Sequence, residues 1–193
     1  MEKILSGDDG NIYLHHDAFT PSECASFMGR LGSETPWRQE HLTLFGRKVL
    51  TPRLSSWHGD VAYTYSGLTM EPAPWTQTLT QIRTRAKQIS KAKFNSVLLN
   101  LYRDGKDSMS WHSDDEVELG KNPVIASLSL GATRRFRLRH RQDKTRTIGL
   151  DLKNGSLLVM AGSTQHHWQH AVPKTAKPIG PRINLTFRWT NPI

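Results

Sequence analysis

Cysteine is nearly missing from this chain: Cys24 is the single one in 193 residues. One thiol excludes an internal disulfide and any zinc site built on several cysteines, and it fits a reducing compartment. No apolar stretch approaches the ~18 residues that a membrane-spanning helix needs. The opening residues, MEKILSGDDG, lack the apolar segment of a secretory signal. No internal repeat or low-complexity tract is present. These absences point to an intracellular protein, cytoplasmic or nuclear according to the organism, with no membrane partner. The length matches one domain, since domains typically run ~100–200 residues. A chain of this size buries roughly 70% of the surface its unfolded form exposes and needs no covalent staple. A monomer is expected. Acidic side chains are also scarce, 17 against 26 lysines and arginines, for a formal charge of +9. Part of the excess is gathered in residues 134–146, RRFRLRHRQDKTR, with seven basic side chains and one acidic. The stretch suits a polyanion, although a solvated strand face would read the same way.

What is present falls into two regimes. Thr20-Pro21-Ser22-Glu23 has the form of a capping box with proline at the first helical position. Cys24, Phe27, Met28 and Leu31 follow at helical spacing, and Gly32 offers a stop. A second helix is expected from Pro74, with Trp75, Leu79, Ile82, Ala86 and Ile89 as its apolar stripe. After Phe94 the period changes to two. NSVLLNLY, PVIASLSL, RRFRLRHR, TIGLDL, GSLLVMA and RINLTFRW read as six short strands. Asn154-Gly155 predicts a hairpin turn between two of them, and PKTAKPIGP, 173–181, an exposed loop before the last. Short strands without intervening helices argue for a sandwich or barrel, with the helices packed on it as one unit.

The strands carry polar residues in phase. Leu98, Asn100 and Tyr102 share one face of the first, and Val97, Leu99 and Leu101 the other. On the last, Ile183, Leu185, Phe187 and Trp189 make an apolar face, while Arg182, Asn184, Thr186 and Arg188 make a polar one. That polar face is either solvated or lines a pocket for an anion, because buried charge must be paired. The stretch MSWHSDD places His112 and Asp114 two apart, on one side if the chain is extended. HHWQH supplies a third metal ligand from among His166, His167 and His170. Two histidines and a carboxylate on one side of an ion form the facial triad of non-haem Fe(II) oxygenases, and catalytic zinc takes a similar set. An anionic, chelating co-substrate would account for the arginines and the open metal positions together. Arg182 and Arg188 lie roughly 20 Å apart along a flat strand, so both reach one small ligand only if their side chains converge.

Longer stretches are more specific. FNSVLLNLYRDGKDSMSWHSDDE, IASLSLGATRRF, GSLLVMAGSTQHHWQHAVPK and PRINLTFRW, with PRLSSWHGDVAYTYSG upstream, resemble the AlkB family of Fe(II)- and 2-oxoglutarate-dependent dioxygenases, over about residues 36 to 190. The resemblance is greatest to two eukaryotic DNA-repair homologues, one favouring duplex and one single strands. It implies a mostly β fold with flanking helices: a double-stranded β-helix (jelly-roll) core over 93–193, preceded by helices and a nucleotide-recognition lid over 1–92, in a single domain. It implies His112, Asp114 and His170 as iron ligands, His170 because WQHAVP matches the family's W-x-H-x-x-P, with His166 and His167 left outside the ligand set. It implies a 2-oxoglutarate pocket of Asn100, Tyr102, Arg182, Asn184, Thr186 and Arg188, with Arg182 on the distal carboxylate and Arg188 and Asn100 near the chelating end. For the substrate it implies Asp115 on the polar edge of the base, Tyr63 and Tyr65 in a stacking region, Arg53 and Trp57 shaping the same lid, and Trp37 beside them. Phe45-Gly46-Arg47 resembles, over three residues, a finger whose aromatic ring fills the stack a flipped base vacates. The implied activity is oxidative demethylation of N-alkylated bases, of 1-methyladenine or 3-methylcytosine type, in DNA or RNA. It consumes O2 and releases formaldehyde, succinate and CO2. Two alternatives stand beside it: a 2-oxoglutarate-dependent hydroxylase of a protein or small molecule, and a non-catalytic barrel that binds nucleic acid.

Overall fold

The computed structural model describes residues 1–44, 47–61, 63–65 and 68–192, and for 42–44, 63–65 and 68–70 the backbone alone. The chain runs β1 (Glu2–Gly7), β2 (Gly10–His15), α1 (Pro21–Glu34), β3 (His41–Leu44), β4 (Arg47–Leu50), β5 (Leu54–Gly59), β6 (Tyr63–Tyr65), β7 (Leu68–Met70) and α2 (Gln77–Ser90). It continues through β8 (Ser96–Tyr102), β9 (Met109–His112), β10 (Ile125–Gly131), β11 (Arg134–His140), β12 (Thr147–Leu152) and β13 (Leu157–Ala161). It closes with α3 (Thr164–His167), β14 (Trp168–Val172) and β15 (Arg182–Arg188). No helix of the described residues is long and apolar enough to cross a membrane.

The capping box forms: Thr20 N–H donates to Glu23 at 2.8 Å, and Glu23 N–H to the Thr20 hydroxyl at 3.3 Å. Helix α1 does not stop at Gly32. A Cβ at that position would meet nothing within 4 Å, so the glycine is helix-compatible, and the chain leaves at Thr35, whose N–H reaches the Leu31 carbonyl. Helix α2 starts later than Pro74. Thr76 supplies the cap, while the Pro74 carbonyl accepts from His58 Nδ1 at 2.8 Å.

Among the described residues the strands form a seven-stranded sheet, β1-β2-β13-β10-β15-β8-β5, and a four-stranded sheet, β12-β11-β14-β9, with ribbons β3-β4 and β6-β7. The six expected strands are present, and residues 173–181 form the expected loop. The N-terminal hairpin β1-β2 and strand β5 are additions, so the larger sheet draws on both halves of the chain. The Asn154-Gly155 turn does not close a hairpin. β12 pairs with β11 and β13 with β10 and β2, so the turn carries the chain from one sheet to the other.

Alternation then separates two cores. Val97, Leu99, Ile183, Leu185 and Phe187 pack outward against Phe27, Leu31, Leu79, Ile82 and Ala86 of the helices. Leu98, Tyr102, Ile125, Leu158 and Met160 of the larger sheet face Phe136, Leu138, Trp168 and Val172 of the smaller. This is the jelly roll. Trp189, expected on the apolar face, lies one residue past the end of β15 and is 47% exposed, its indole N–H on Asn191.

Candidate metal and co-substrate site

The inward face of β8 and β15 is polar where the two sheets part. Register places Arg182 beside Tyr102, Asn184 beside Asn100 and Thr186 beside Leu98. Across the gap, β14 pairs His170 with His112 of β9, and the two imidazole centroids stand 4.2 Å apart. Asp114 lies two residues beyond β9, in an extended loop. There Ser113 Oγ donates to the Trp168 carbonyl at 3.0 Å, and the Asp114 N–H to Gln165 Oε1 at 2.9 Å. One cavity is lined by His112, Asp114, His170, Asn100, Tyr102, Arg182, Asn184, Thr186 and Arg188. Leu98, Met109, Ser127, Phe136, Met160, Ala171 and Val172 complete its wall. Sequence reasoning placed Leu98 on this face but did not pick out the other six; five carry no chemistry that would distinguish them from core, and Ser127 is one serine of many.

The triad is set for a cation. His112 Nε2 lies 4.0 Å from Asp114 Oδ1, and His170 Nε2 lies 3.9 Å from Asp114 Oδ2. His112 Nδ1 is 2.9 Å from the Ser110 carbonyl, which can only accept. The ring proton therefore sits on Nδ1 and the Nε2 lone pair faces the cavity. Burial pushes His112 below its ordinary pKa and His170 down to about 3, so both are neutral ligands at neutral pH. Burial alone would push Asp114 up, but Arg188, His170 and His112 outweigh it and hold the carboxylate ionised. Asp114 Oδ1 accepts from Arg188 Nη2 at 2.7 Å, while the buried Oδ2 has no hydrogen-bond partner among the described residues. Three donors, two of them neutral, and an unsatisfied anionic oxygen fit a divalent ion.

Arg182 marks the other end. It is 1% exposed; Nη2 donates to Ser129 Oγ at 2.8 Å, and the guanidinium lies against the Tyr102 side chain, 5.2 Å from its ring centroid. Among the described residues Nε and Nη1 have no acceptor in hydrogen-bond geometry. Burial lowers its pKa to about 10, against the pull of Tyr102, so the group remains a cation at neutral pH. A buried cation with two unused donors fits a carboxylate. The two arginines do not converge: Arg188 grips the metal-side carboxylate of Asp114. Asn184 donates to Ser127 Oγ and the Leu128 carbonyl, and Thr186 to Asn184 Oδ1.

The expected substrate residues are dispersed. Arg53 is buried and donates Nε to Asn100 Oδ1 at 2.8 Å, and it is not among the residues that line the cavity. Trp57 sits in the inter-sheet core opposite Leu98, its indole N–H on the Val61 carbonyl, and Trp37 packs against the helix-side core. Trp57 is buried and Trp37 half-buried, and each packs against one of the two cores. Asp115 is half-exposed and ion-paired with Arg141 at 2.6 Å. Tyr63 and Tyr65 lie on ribbon β6-β7, and their side chains, like Phe45 and Gly46, lie outside the described residues.

The basic stretch is largely spoken for. Arg134 is buried on the Asp104, Asp107 and Pro173 carbonyls, and Arg135, Arg141 and Arg146 pair with Asp151, Asp115 and Asp9. Arg139 lies over Trp111 at 4.4 Å. His166 hydrogen-bonds the Lys121 carbonyl. His167 joins His140 and Asp9 in a second group whose potential ligand atoms lie within 4.8 Å of one another. Its chemistry differs from the triad. His140 Nδ1 accepts the Asp143 N–H at 3.1 Å, so the proton of its neutral ring sits on Nε2, the atom facing Asp9, where a metal would need a lone pair. The group is an ion-paired cluster.

A family model described as the 2OG-Fe(II) oxygenase superfamily matches residues 11–188. The chain belongs to this superfamily. The description of that family names Fe(II) and 2-oxoglutarate, and the donor set around Asp114 and the cation at Arg182 fit both. Among its relatives, alkB homolog 3 from Bos taurus is 44% identical over 179 residues, covering 88% of this chain and 63% of the relative. The DNA oxidative demethylase ALKBH2 from Bos taurus is 41% identical over 154 residues, with 75% and 55% covered, and that from Arabidopsis thaliana 36% over 215 residues, with 96% and 68%. The chain thus spans 55% to 63% of the length of these two bovine relatives. The solved structure of OsALKBH1 superposes with a TM-score of 0.64 at 17% identity, covering 92% of this chain and 97% of that one, which bears out the fold.

Proposed function

We propose that this protein is an oxidative dealkylase of nucleic acid, removing N-linked methyl groups from bases of 1-methyladenine or 3-methylcytosine type. One observation carries the reading: a single cavity joins a His-Asp-His donor set with an unsatisfied carboxylate oxygen to a buried arginine with two unused donors. Support for the substrate class comes from the relatives, named as alkB homolog 3 and as DNA oxidative demethylase, and from the +9 charge.

His112 Nε2, Asp114 and His170 Nε2 would hold the iron, and Arg182 the distal carboxylate of 2-oxoglutarate. When bound, iron with 2-oxoglutarate and O2 supplies the oxidising chemistry, which yields succinate, CO2 and a hydroxymethyl base that sheds formaldehyde. Phe136, stacked on the His170 ring at 5.3 Å, fixes the ring plane. Leu98, Met109 and Val172 keep water from the reacting groups. Asp115, presented by Arg141, would read the amino edge of a flipped base, with Tyr63 and Tyr65 against its face and Phe45 in the vacated stack.

The test is a methylated oligonucleotide incubated with protein, Fe(II), ascorbate and 2-oxoglutarate, read by mass spectrometry and by formaldehyde release. Loss of the methyl group together with stoichiometric formaldehyde is expected. Succinate production with the oligonucleotide unchanged would favour a protein or small-molecule substrate.

A further inference from the structure

Asp114 is held in place by a residue inside the family-like stretch GSLLVMAGSTQHHWQHAVPK to which the resemblance assigned no role. Its backbone N–H donates to Gln165 Oε1 at 2.9 Å, and Gln165 is 1% exposed. The Gln165 amide nitrogen meets only the Met160 sulfur, at 3.7 Å, so that contact cannot be what the amide is for. Gln165 lies on α3, the single turn between β13 and β14.

That turn is clamped from outside the site. Thr164 Oγ1 donates to the Ala161 carbonyl at 2.6 Å and accepts the Asn11 N–H at 3.0 Å, and Ser163 Oγ donates to the Asp8 carbonyl at 2.5 Å. Gly10, at φ +123°, lets the β1–β2 turn press against it: a Cβ there would stand 2.6 Å from Thr164 backbone atoms. On the far side Arg141 reaches the Gln165 carbonyl at 3.4 Å and Asp115 at 2.6 Å, and its N–H bonds the His167 carbonyl at 2.7 Å. The α3 turn therefore touches the metal-side carboxylate loop through Gln165 and the substrate-side carboxylate through Arg141.

We infer that Gln165 is a positioning residue: through the Asp114 amide it sets the direction from which that carboxylate meets the metal, and the N-terminal hairpin braces it in that role. The inference rests on the oxygenase reading of the cavity. Its metal-binding and spectroscopic readouts do not require the substrate to be nucleic acid. The loop carries a carboxylate on a short side chain, so a small backbone rotation moves its oxygen by a large fraction of a metal–ligand bond. Outer partners of this kind are typically worth 10- to 100-fold in metal affinity.

Two variants test it. Gln165→Met keeps length and volume and removes the acceptor, while Gln165→Glu keeps an acceptor oxygen at the same reach. Anaerobic Fe(II) titration, the visible spectrum of the Co(II) form and the ratio of 2-oxoglutarate consumed to base repaired are compared with the thermal midpoint. Gln165→Met is expected to bind Fe(II) about 10- to 100-fold more weakly, with a changed Co(II) spectrum and a higher ratio of co-substrate consumed, while remaining folded. Gln165→Glu is expected to restore most of the Co(II) spectrum. A Gln165→Met protein with wild-type Fe(II) affinity and spectrum overturns the inference, as does an equal loss in both variants. Failure of the wild-type protein to bind Fe(II) would instead remove the oxygenase reading itself.

Discussion

Replacing Arg182 with methionine separates binding from folding. The guanidinium is buried, and two of its nitrogens have no protein acceptor. Removing it from the ligand-free protein takes away a desolvated charge and one hydrogen bond to Ser129. The two effects oppose one another, and each is on the order of 1–3 kcal/mol. Stability should thus change by no more than about 2 kcal/mol, and could rise. With 2-oxoglutarate present the balance is different, because a carboxylate would lose its bidentate cation in a dry site. That costs about 3–5 kcal/mol, or roughly 100- to several-thousand-fold in affinity. Anaerobic calorimetry with the metal in place measures the affinity, and thermal unfolding checks the fold. The cation's pKa of about 10 adds a second readout. A cation binds the dianion only while protonated, so affinity should be flat through neutral pH and fall as pH rises through about 10, in wild type and not in the variant. A folded Arg182→Met protein that binds 2-oxoglutarate within fivefold of wild type would refute the assignment.

Three further outcomes are expected. His112→Ala should abolish stoichiometric Fe(II) uptake in an anaerobic titration, and undiminished uptake would remove the triad. Asp107, buried and bridged by the backbone and side chain of Arg103, has its pKa lowered: burial pushes it up, but the Arg103 bonds outweigh that. A depressed carboxylate stabilises the fold above its unfolded pKa of ~3.9 and loses that contribution as pH falls through its folded value. Asp107→Asn should therefore cost about 1–2 kcal/mol in denaturant titrations at pH 7, discounted because Arg103 is half-exposed, and progressively less at acid pH. Finally, Arg137 and Lys144 are the members of the basic stretch for which the described residues provide no ion pair or other specific contact. Arg137→Ala and Lys144→Ala should each reduce the slope of log affinity for duplex DNA against log salt by about 0.9, while Arg146→Ala, already paired with Asp9, should change it less.

The catalytic half of the molecule was legible because its chemistry is in phase with its backbone. Arg182, Asn184, Thr186 and Arg188 alternate with Ile183, Leu185 and Phe187, and the same alternation divides cavity from helix-side core in the structure. His170 was separable from His166 and His167 only through a family resemblance, since spacing alone left three candidates. What stayed hidden was short or non-local. β9 and β14 have four and five residues, too few to display a period, and β2 finds β13 far along the chain. Gly32 sat in a helix because nothing crowds it. Asn154-Gly155 turned the chain as its residues require, but which strands flank a turn in space is set by tertiary pairing. Trp57 is buried in the inter-sheet core and Trp37 half-buried against the helix-side core, packing that a lone aromatic in the sequence does not announce. Gln165 lay inside a family-like stretch without a role of its own, because a single amide becomes meaningful only when its acceptor meets a particular backbone N–H.

The pairing of β2 with β13 also has a bearing on synthesis. Leu14 meets Leu158 and Ile12 meets Met160, so the partner strand leaves the ribosome roughly 145 residues after the hairpin does. At ~5–20 residues per second the hairpin waits on the order of 7–30 s with one edge uncovered. The brace on α3 and the metal pocket it serves cannot assemble before that interval ends. Fast translation or a chaperone that shields the waiting edge would raise the yield of active protein, and slow or stalled translation would leave the edge open to aggregation.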